Sequence, residues 1–168
     1  MQSKTLTIMG TIITAATIMA IYLNSTGNVN SQYCYNADMD NGRITTMYVY
    51  DKHEVGLSGR LEYRYAYDAE GRVTSKTVMR RGRTDGRMVP ECRYDYAYSA
   101  DGYSLTCRRW DEGRQAFAPA ESLTCYRTEA EGVVSVSTYE LGGDGSEPTL
   151  VDNMLALVPA DGGMMAGY

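Results

Sequence analysis

Side chains able to do chemistry are few and widely spaced. The single histidine, His53, stands in Tyr50-Asp51-Lys52-His53-Glu54. Triad or metal chemistry needs histidine with placed partners, and a lone loop histidine beside lysine reads as a surface residue. Asp51 and Glu54 could serve glycoside hydrolysis, which uses two carboxylates, but acids are common in turns and nothing sets this pair apart. Asp144-Gly145-Ser146-Glu147 begins like a calcium loop and lacks the remaining ligands. No glycine-rich phosphate loop follows a strand and opens a helix. No catalytic residue, metal ligand or cofactor is assigned on these grounds.

Cys34, Cys92, Cys107 and Cys125 lack the close paired spacing of a zinc site. In an oxidising compartment, disulfides are the better reading. The richer resource is tyrosine, with 15 copies against one Trp and one Phe. Tyr63, Tyr65, Tyr67, Tyr94, Tyr96 and Tyr98 alternate along two short stretches, with Trp110 further on. Tyrosine rings offer flat apolar area with a hydroxyl tip, suited to sugars or protein partners. They serve equally as core, packed against a second layer.

The elements that carry these rings repeat. Leu61-Glu62-Tyr63-Arg64-Tyr65-Ala66-Tyr67-Asp68-Ala69-Glu70-Gly71 is echoed by Cys92-Arg93-Tyr94-Asp95-Tyr96-Ala97-Tyr98-Ser99-Ala100-Asp101-Gly102. The offset is 31 residues, Tyr65 to Tyr96. A fainter copy carries Tyr126, Ala130, Glu131 and Gly132, and Asp40-Asn41-Gly42-Arg43 is an upstream relative. A period of this size marks a repeated supersecondary unit. Tyrosines at every second position line one face of a strand. Asp68-Ala69-Glu70-Gly71 supplies a type I turn closed by a glycine bulge. That register sets Asp68 opposite Arg72 and Tyr67 opposite Val73. It places Ser75 and Thr77 with the tyrosines, and Arg72, Thr74 and Lys76 on a charged, solvated face. Applied to the second unit, it puts Tyr94, Tyr96, Tyr98 and Trp110 on one face and Asp95, Leu105 and Cys107 on the other. Cys107 then lies opposite Asp95, and Cys125 takes the place of Asp95 in the next unit. Opposed residues on antiparallel strands come within about 4.5–5.5 Å, Cα to Cα, so Cys107–Cys125 is the expected disulfide. The basic run from Arg72 to Arg93 reads as a solvated hairpin end.

Before the repeats, Lys4 is followed by an uncharged run from Leu6 to Leu23 and then by Asn24-Ser25-Thr26-Gly27-Asn28. This is the layout of a secretory signal peptide. The alternative is a short uncleaved anchor, the run being at the short end of a membrane span of about 20 residues. Residues 1–30 are therefore assigned to export, 31–140 to a hairpin-repeat β domain, and 141–168 to an acidic, glycine-rich, partly mobile tail. The net charge of -5 argues against nucleic acid, whose phosphates need a basic footprint.

The segment Gly59 to Thr74 resembles the tyrosine–aspartate repeat of Rhs-type proteins, through Gly59, Arg60, Tyr65, Tyr67, Asp68, Gly71 and Arg72. The second unit departs from it, with Ser99 and Tyr103 where Asp and Arg are usual. Rhs proteins close many repeats into a shell. Three or four units cannot do that, so encapsulation does not carry over. From about Asn36 to Tyr139 the chain is similar to the small exported Gram-negative bacterial proteins of domain-of-unknown-function family 3836. That resemblance implies an all-β, exported protein and supplies no activity.

The reading is an all-β antiparallel meander of tandem tyrosine-rich hairpins, exported to the periplasm, cell surface or medium. It acts there as a non-catalytic binding or structural module, with an unidentified protein or glycan of the cell envelope as partner. A membrane contact follows only if the N-terminal segment stays attached. The alternative is a carbohydrate-active or inhibitory envelope protein.

Overall fold

A computed structural model describes residues 12–52, 59–82 and 84–157. His53 and Glu54 lie outside the described residues, as do Arg83 and the ends of the chain. Among the described residues, one helix, α1 (Ala15–Gly27), precedes the strands. Thr14 caps it, its hydroxyl accepting from the Thr17 amide while the Thr17 hydroxyl accepts from the Thr14 amide. This reciprocal box satisfies amide groups that a helix start otherwise leaves free. No described helix is long and apolar enough to cross a membrane.

The strands are β1 (Tyr33–Asp40), β2 (Arg43–Asp51), β3 (Gly59–Tyr67), β4 (Val73–Arg81), β5 (Met88–Ser99), β6 (Gly102–Asp111), β7 (Ala116–Phe117), β8 (Ser122–Ala130), β9 (Val133–Glu140) and β10 (Thr149–Leu157). They form one open sheet in the order β1-β2-β3-β4-β5-β6-β8-β9-β10, each antiparallel to its neighbours, with the two-residue β7 beside β6. The fold is thus the all-β antiparallel meander expected from alternation and turn residues. β10 comes from the segment read as a tail and pairs along β9.

Turn chemistry sets the hairpins. Asn41 and Gly42 both have positive φ, 48° and 74°, the two-residue type I′ geometry that suits the twist of paired strands. At the β3–β4 tip, the Asp68 amide donates to the Arg72 carbonyl at 3.0 Å, and Gly71 takes a φ of 79°. The Asp68 carboxylate accepts from the Arg72 amide at 2.9 Å and pairs with its guanidinium at 2.7 Å. Tyr67 faces Val73, as the bulged register requires.

Beyond that tip the register departs from expectation twice. A second irregularity leaves Thr74 unpaired, so Tyr65 faces Lys76 and Tyr63 faces Val78. Ser75 and Thr77 therefore turn away from the tyrosines, and Lys76 joins them. In the second unit the bulge is absent: Ser99 faces Gly102, Tyr96 faces Leu105 and Tyr94 faces Cys107. Leu105 and Cys107 thus belong to the tyrosine face, and Trp110 to the other. Slipping a register by one residue moves every side chain to the opposite face. The expected Cys107–Cys125 bond fails with it. Cys107 faces Ser122, Cys125 faces Ser104, and all four cysteines are free thiols.

The two faces are chemically distinct. The core lies on the tyrosine face, where Ile44, Met47 and Val73 of the sheet are almost wholly buried with Ile13 and Ile18 of the N-terminal segment. Across part of the other face run charged side chains, with Arg64 paired to Glu62 at 2.9 Å and Asp95 held between Arg93 and Arg108 at 2.8 and 3.4 Å.

Candidate functional site

Alternation along β3 and β5 brings Tyr63, Tyr65, Tyr67, Tyr94, Tyr96 and Tyr98 onto a single face, all partly buried. Trp110 is not among them; its ring packs edge-on against Phe117, with centroids 5.0 Å apart at 74°. Two further rings complete the surface. Tyr103 of β6 and Tyr126 of β8 face each other in register and stack at 4.6 Å and 9°. Tyr96 and Tyr98 each lie 6.2 Å from Tyr103. Such aromatic pairs contribute about 0.5–1.5 kcal/mol beyond their buried area. Tyr126 was visible in the faint third copy, and Tyr103 was hidden because it stands where the repeat carries arginine.

Burial acts on the phenols in one direction, since it disfavours the charged phenolate. The Tyr67 and Tyr96 hydroxyls are pushed up to about 12, and those of Tyr65, Tyr98 and Tyr103 are pushed up as well. All are neutral hydrogen-bonding groups at physiological pH. The Tyr67 hydroxyl donates to the Ile44 carbonyl at 2.6 Å. That of Tyr98 lies 2.6 Å from the Val73 carbonyl and 2.9 Å from the Ile13 carbonyl.

Toward β6 the face holds a polar cluster that sequence reasoning missed. Lys76 rests its ammonium 4.2 Å from the centre of the Tyr63 ring, and burial lowers its pKa. The Tyr94 hydroxyl neighbours the Cys92 and Cys107 thiols, and the Cys107 thiol donates to the Glu121 carboxylate at 3.9 Å. Burial raises both thiols, Cys107 to about 11. A nucleophilic cysteine needs the opposite shift, so these thiols stay protonated at neutral pH. Cys34 and Cys125 sit apart on β1 and β8. Among the described residues no group of three or more His, Cys, Asp or Glu could hold a metal ion.

The face is occupied over part of its extent. The segment from Ile13 through α1 lies against it, burying Ile13 and Ile18 and bringing Met19, Ile21 and Tyr22 against the core. Thr14 forms an antiparallel bridge with Arg72 at the β3–β4 tip. At the far end of the helix, a shallow hollow of about 260 Å³ opens between Ser25–Val29 and Tyr33–Tyr35.

The model of a family described as "Family of unknown function (DUF3836)" matches residues 1–128, which include α1 and β1 to β7 and most of β8. No curated protein matches the chain. Among solved structures, a protein of unknown function from Bacteroides fragilis NCTC 9343 is similar at a TM-score of 0.62 and 17% identity, over 79% of this chain and 96% of that one. At that identity the likeness is one of fold. A DUF3836 family protein from Parabacteroides distasonis ATCC 8503 aligns at 19% identity and a TM-score of 0.40, over 74% of this chain and 89% of that one.

Proposed function

We propose that this chain, which belongs to the DUF3836 family, is an exported, non-catalytic binding module whose tyrosine face is the binding surface. The observation that carries the reading is that this face holds a polypeptide segment by burying Ile13 and Ile18 and by a phenol aimed at a backbone carbonyl. Lys4 and the uncharged run behind it support export. Processing there would take away the segment that covers the face and bare apolar surface of the kind that marks interaction sites. The cell envelope then offers protein or glycan partners, and either would meet flat rings tipped with neutral hydroxyls. The tyrosine–aspartate motif of the first hairpin fits this reading as a scaffold: its Asp68 and Arg72 lock the tip, and the Arg72 guanidinium rests 5.4 Å from the centre of the Tyr98 ring.

The test is a titration of the processed, exported protein with envelope extracts separated into polypeptide and glycan pools, followed by NMR of the ring signals. The expected result is that one pool moves the signals of Tyr65, Tyr96, Tyr98 and Tyr103. Shifts confined to the charged face, at Arg64, Arg93 and Arg108, would overturn the assignment.

A further inference from the structure

Strand β4 parts from β5 near the hairpin tip. Their ladder ends at Ser75 and Asp95, and β5 continues to Ser99 alongside β6 alone. In the bulged tip, Arg72 turns its amide and carbonyl toward Asp68. The Gly71 carbonyl and the Val73 amide consequently face away from β3, toward the gap that β5 has left. Two backbone groups thus stand at an apolar face with no strand of the sheet to pair them, and such groups must find partners when covered.

Residues Ile13–Ala15 are those partners. The Val73 amide donates to the Ile13 carbonyl at 2.8 Å, and the Ala15 amide donates to the Gly71 carbonyl at 2.9 Å. Tyr98, on the far side of the gap, holds its hydroxyl between the Val73 carbonyl at 2.6 Å and the same Ile13 carbonyl at 2.9 Å, its one proton shared between them. All three contacts touch the backbone of the segment, so they are indifferent to its sequence. Selectivity comes from the sockets beside them, which leave Ile13 only 7% and Ile18 only 2% exposed. An extended peptide added to unpaired strand groups, with pockets for its side chains, is the β-addition mode of recognition.

We propose that this slot is a polypeptide-binding site, that residues 13–27 fill it in cis until they are removed, and that an uncharged apolar polypeptide segment of another chain then takes their place. The proposal rests on the binding-face reading and names its ligand class as polypeptide. The occupant enters as a short extended stretch at Gly71–Val73 and continues as a helix across the face. A charged residue at the place of Ile18 is rejected, because an unpaired charge in an apolar socket is costly. A glycan lacks the alternating amide and carbonyl groups that the slot pairs.

The probe is a synthetic peptide of residues 12–28 with a fluorophore at its C-terminus, titrated into the full chain and followed by anisotropy. In the full-length Ile18→Asp variant the cis segment is driven out of its socket. The peptide should bind that variant saturably, and bind the unmodified chain about tenfold more weakly or less, because its own segment competes. Adding Tyr98→Phe to Ile18→Asp should weaken binding about twofold, the loss of a hydrogen bond shared with the Val73 carbonyl. A peptide carrying Ile18→Asp should not bind.

Should Ile18→Asp fail to fold, Ala15→Pro serves instead. Proline suits the first position of a helix, and Ala15 is that position behind its Thr14 cap, so only the amide that reaches Gly71 is lost. Hydrogen exchange at Val73 should then quicken, and the peptide should slow it again. Equal binding to variant and unmodified chain, no binding to a folded variant, or unchanged Val73 exchange in Ala15→Pro would overturn the proposal. If the peptide fails while an envelope glycan still moves the Tyr65 and Tyr96 ring signals, the polypeptide assignment falls and the binding face stands.

Discussion

Gly71 and Gly102 occupy the same position in the repeat and answer to different physics. Gly71 sits at a φ of 79°, and a Cβ there would only touch the Arg43 guanidinium, at 3.4 Å. Gly102 has no such backbone requirement, but a Cβ there would overlap the Tyr126 carbonyl of β8. Replacing Gly71 with Ala should therefore cost about 1 kcal/mol, the ordinary cost of a left-handed conformation. Gly102→Ala should cost more, about 2–3 kcal/mol, because backbone must move. Urea unfolding of the two variants checks the order; equal costs would mean that β6 and β8 yield easily. Lys76 makes a second case at this scale. Burial lowers its pKa, so the fold disfavours its charged form despite the Tyr63 ring beneath it. Below its folded pKa the ammonium carries that cost, and the cost fades as pH rises from there toward the ordinary 10.5. Lys76→Met should stabilise the fold at pH 7 by less than about 1 kcal/mol, since partial exposure screens the charge, and so raise the melting temperature. The advantage should narrow as pH rises toward 10.5. A melting temperature that falls at pH 7 would show that the ring contact outweighs desolvation.

Strand identity and strand register part company in this molecule. Tyrosine alternation and the Asp-x-x-Gly and Asn-Gly turns made the hairpins legible, because both are local properties of a few residues. Register across a hairpin depends on one extra residue. Thr74 is that residue in β4, and nothing in Val73-Thr74-Ser75 advertises it. The second tip closes without the bulge of the first, where Ser99 stands in place of Asp68 and its hydroxyl bonds the Asp101 carboxylate at 2.7 Å. Those two slips explain why Lys76, Leu105 and Cys107 were assigned to the wrong face, and why a disulfide was expected where none forms. The N-terminal run was legible as apolar and uncharged, but its docking is a tertiary fact that periodicity does not hold. β10 was hidden for another reason. Its residues are nearly all exposed, with Leu155 at 69% and Leu157 at 83%, so no buried face imposes alternation. Among the described residues it is an edge, paired to β9 alone, and apolar edges invite pairing between chains. Leu155→Lys should leave unfolding stability within about 0.5 kcal/mol and reduce light scattering at high concentration. Unchanged scattering would show that this edge is not the sticky one.

At the scale of the whole molecule, the apolar layer of a single open sheet is built from phenols where other proteins use Leu and Ile. That choice has a thermodynamic consequence. An unfolded tyrosine titrates near its ordinary value of 10, whereas burial pushes Tyr67 and Tyr96 up to about 12 and raises Tyr65, Tyr98 and Tyr103 too. Between those values the folded chain holds protons that the unfolded chain has released, so stability must fall as pH rises. The contribution is complete below pH 10 and is lost as pH climbs through 10 toward 12 and beyond. Each phenol adds at most about 1.4 kcal/mol per pH unit over that range, and several act together. The urea midpoint should accordingly hold level up to about pH 9.5 and drop steeply above 10. Tyrosinate absorbance should rise in one cooperative step with the loss of β-sheet circular dichroism. Tyr48 supplies a comparison from the other face. It is also pushed up to about 12, but chiefly by the bond it donates to Asp38 at 2.6 Å on the other face. Tyr48→Phe and Tyr65→Phe should each shift the alkaline midpoint upward by removing one raised phenol, Tyr48 the less because its bond to Asp38 is exposed and screened by solvent. A midpoint that stays flat past pH 11, with all phenols ionising near 10, would mean that the rings are wetter than their packing implies.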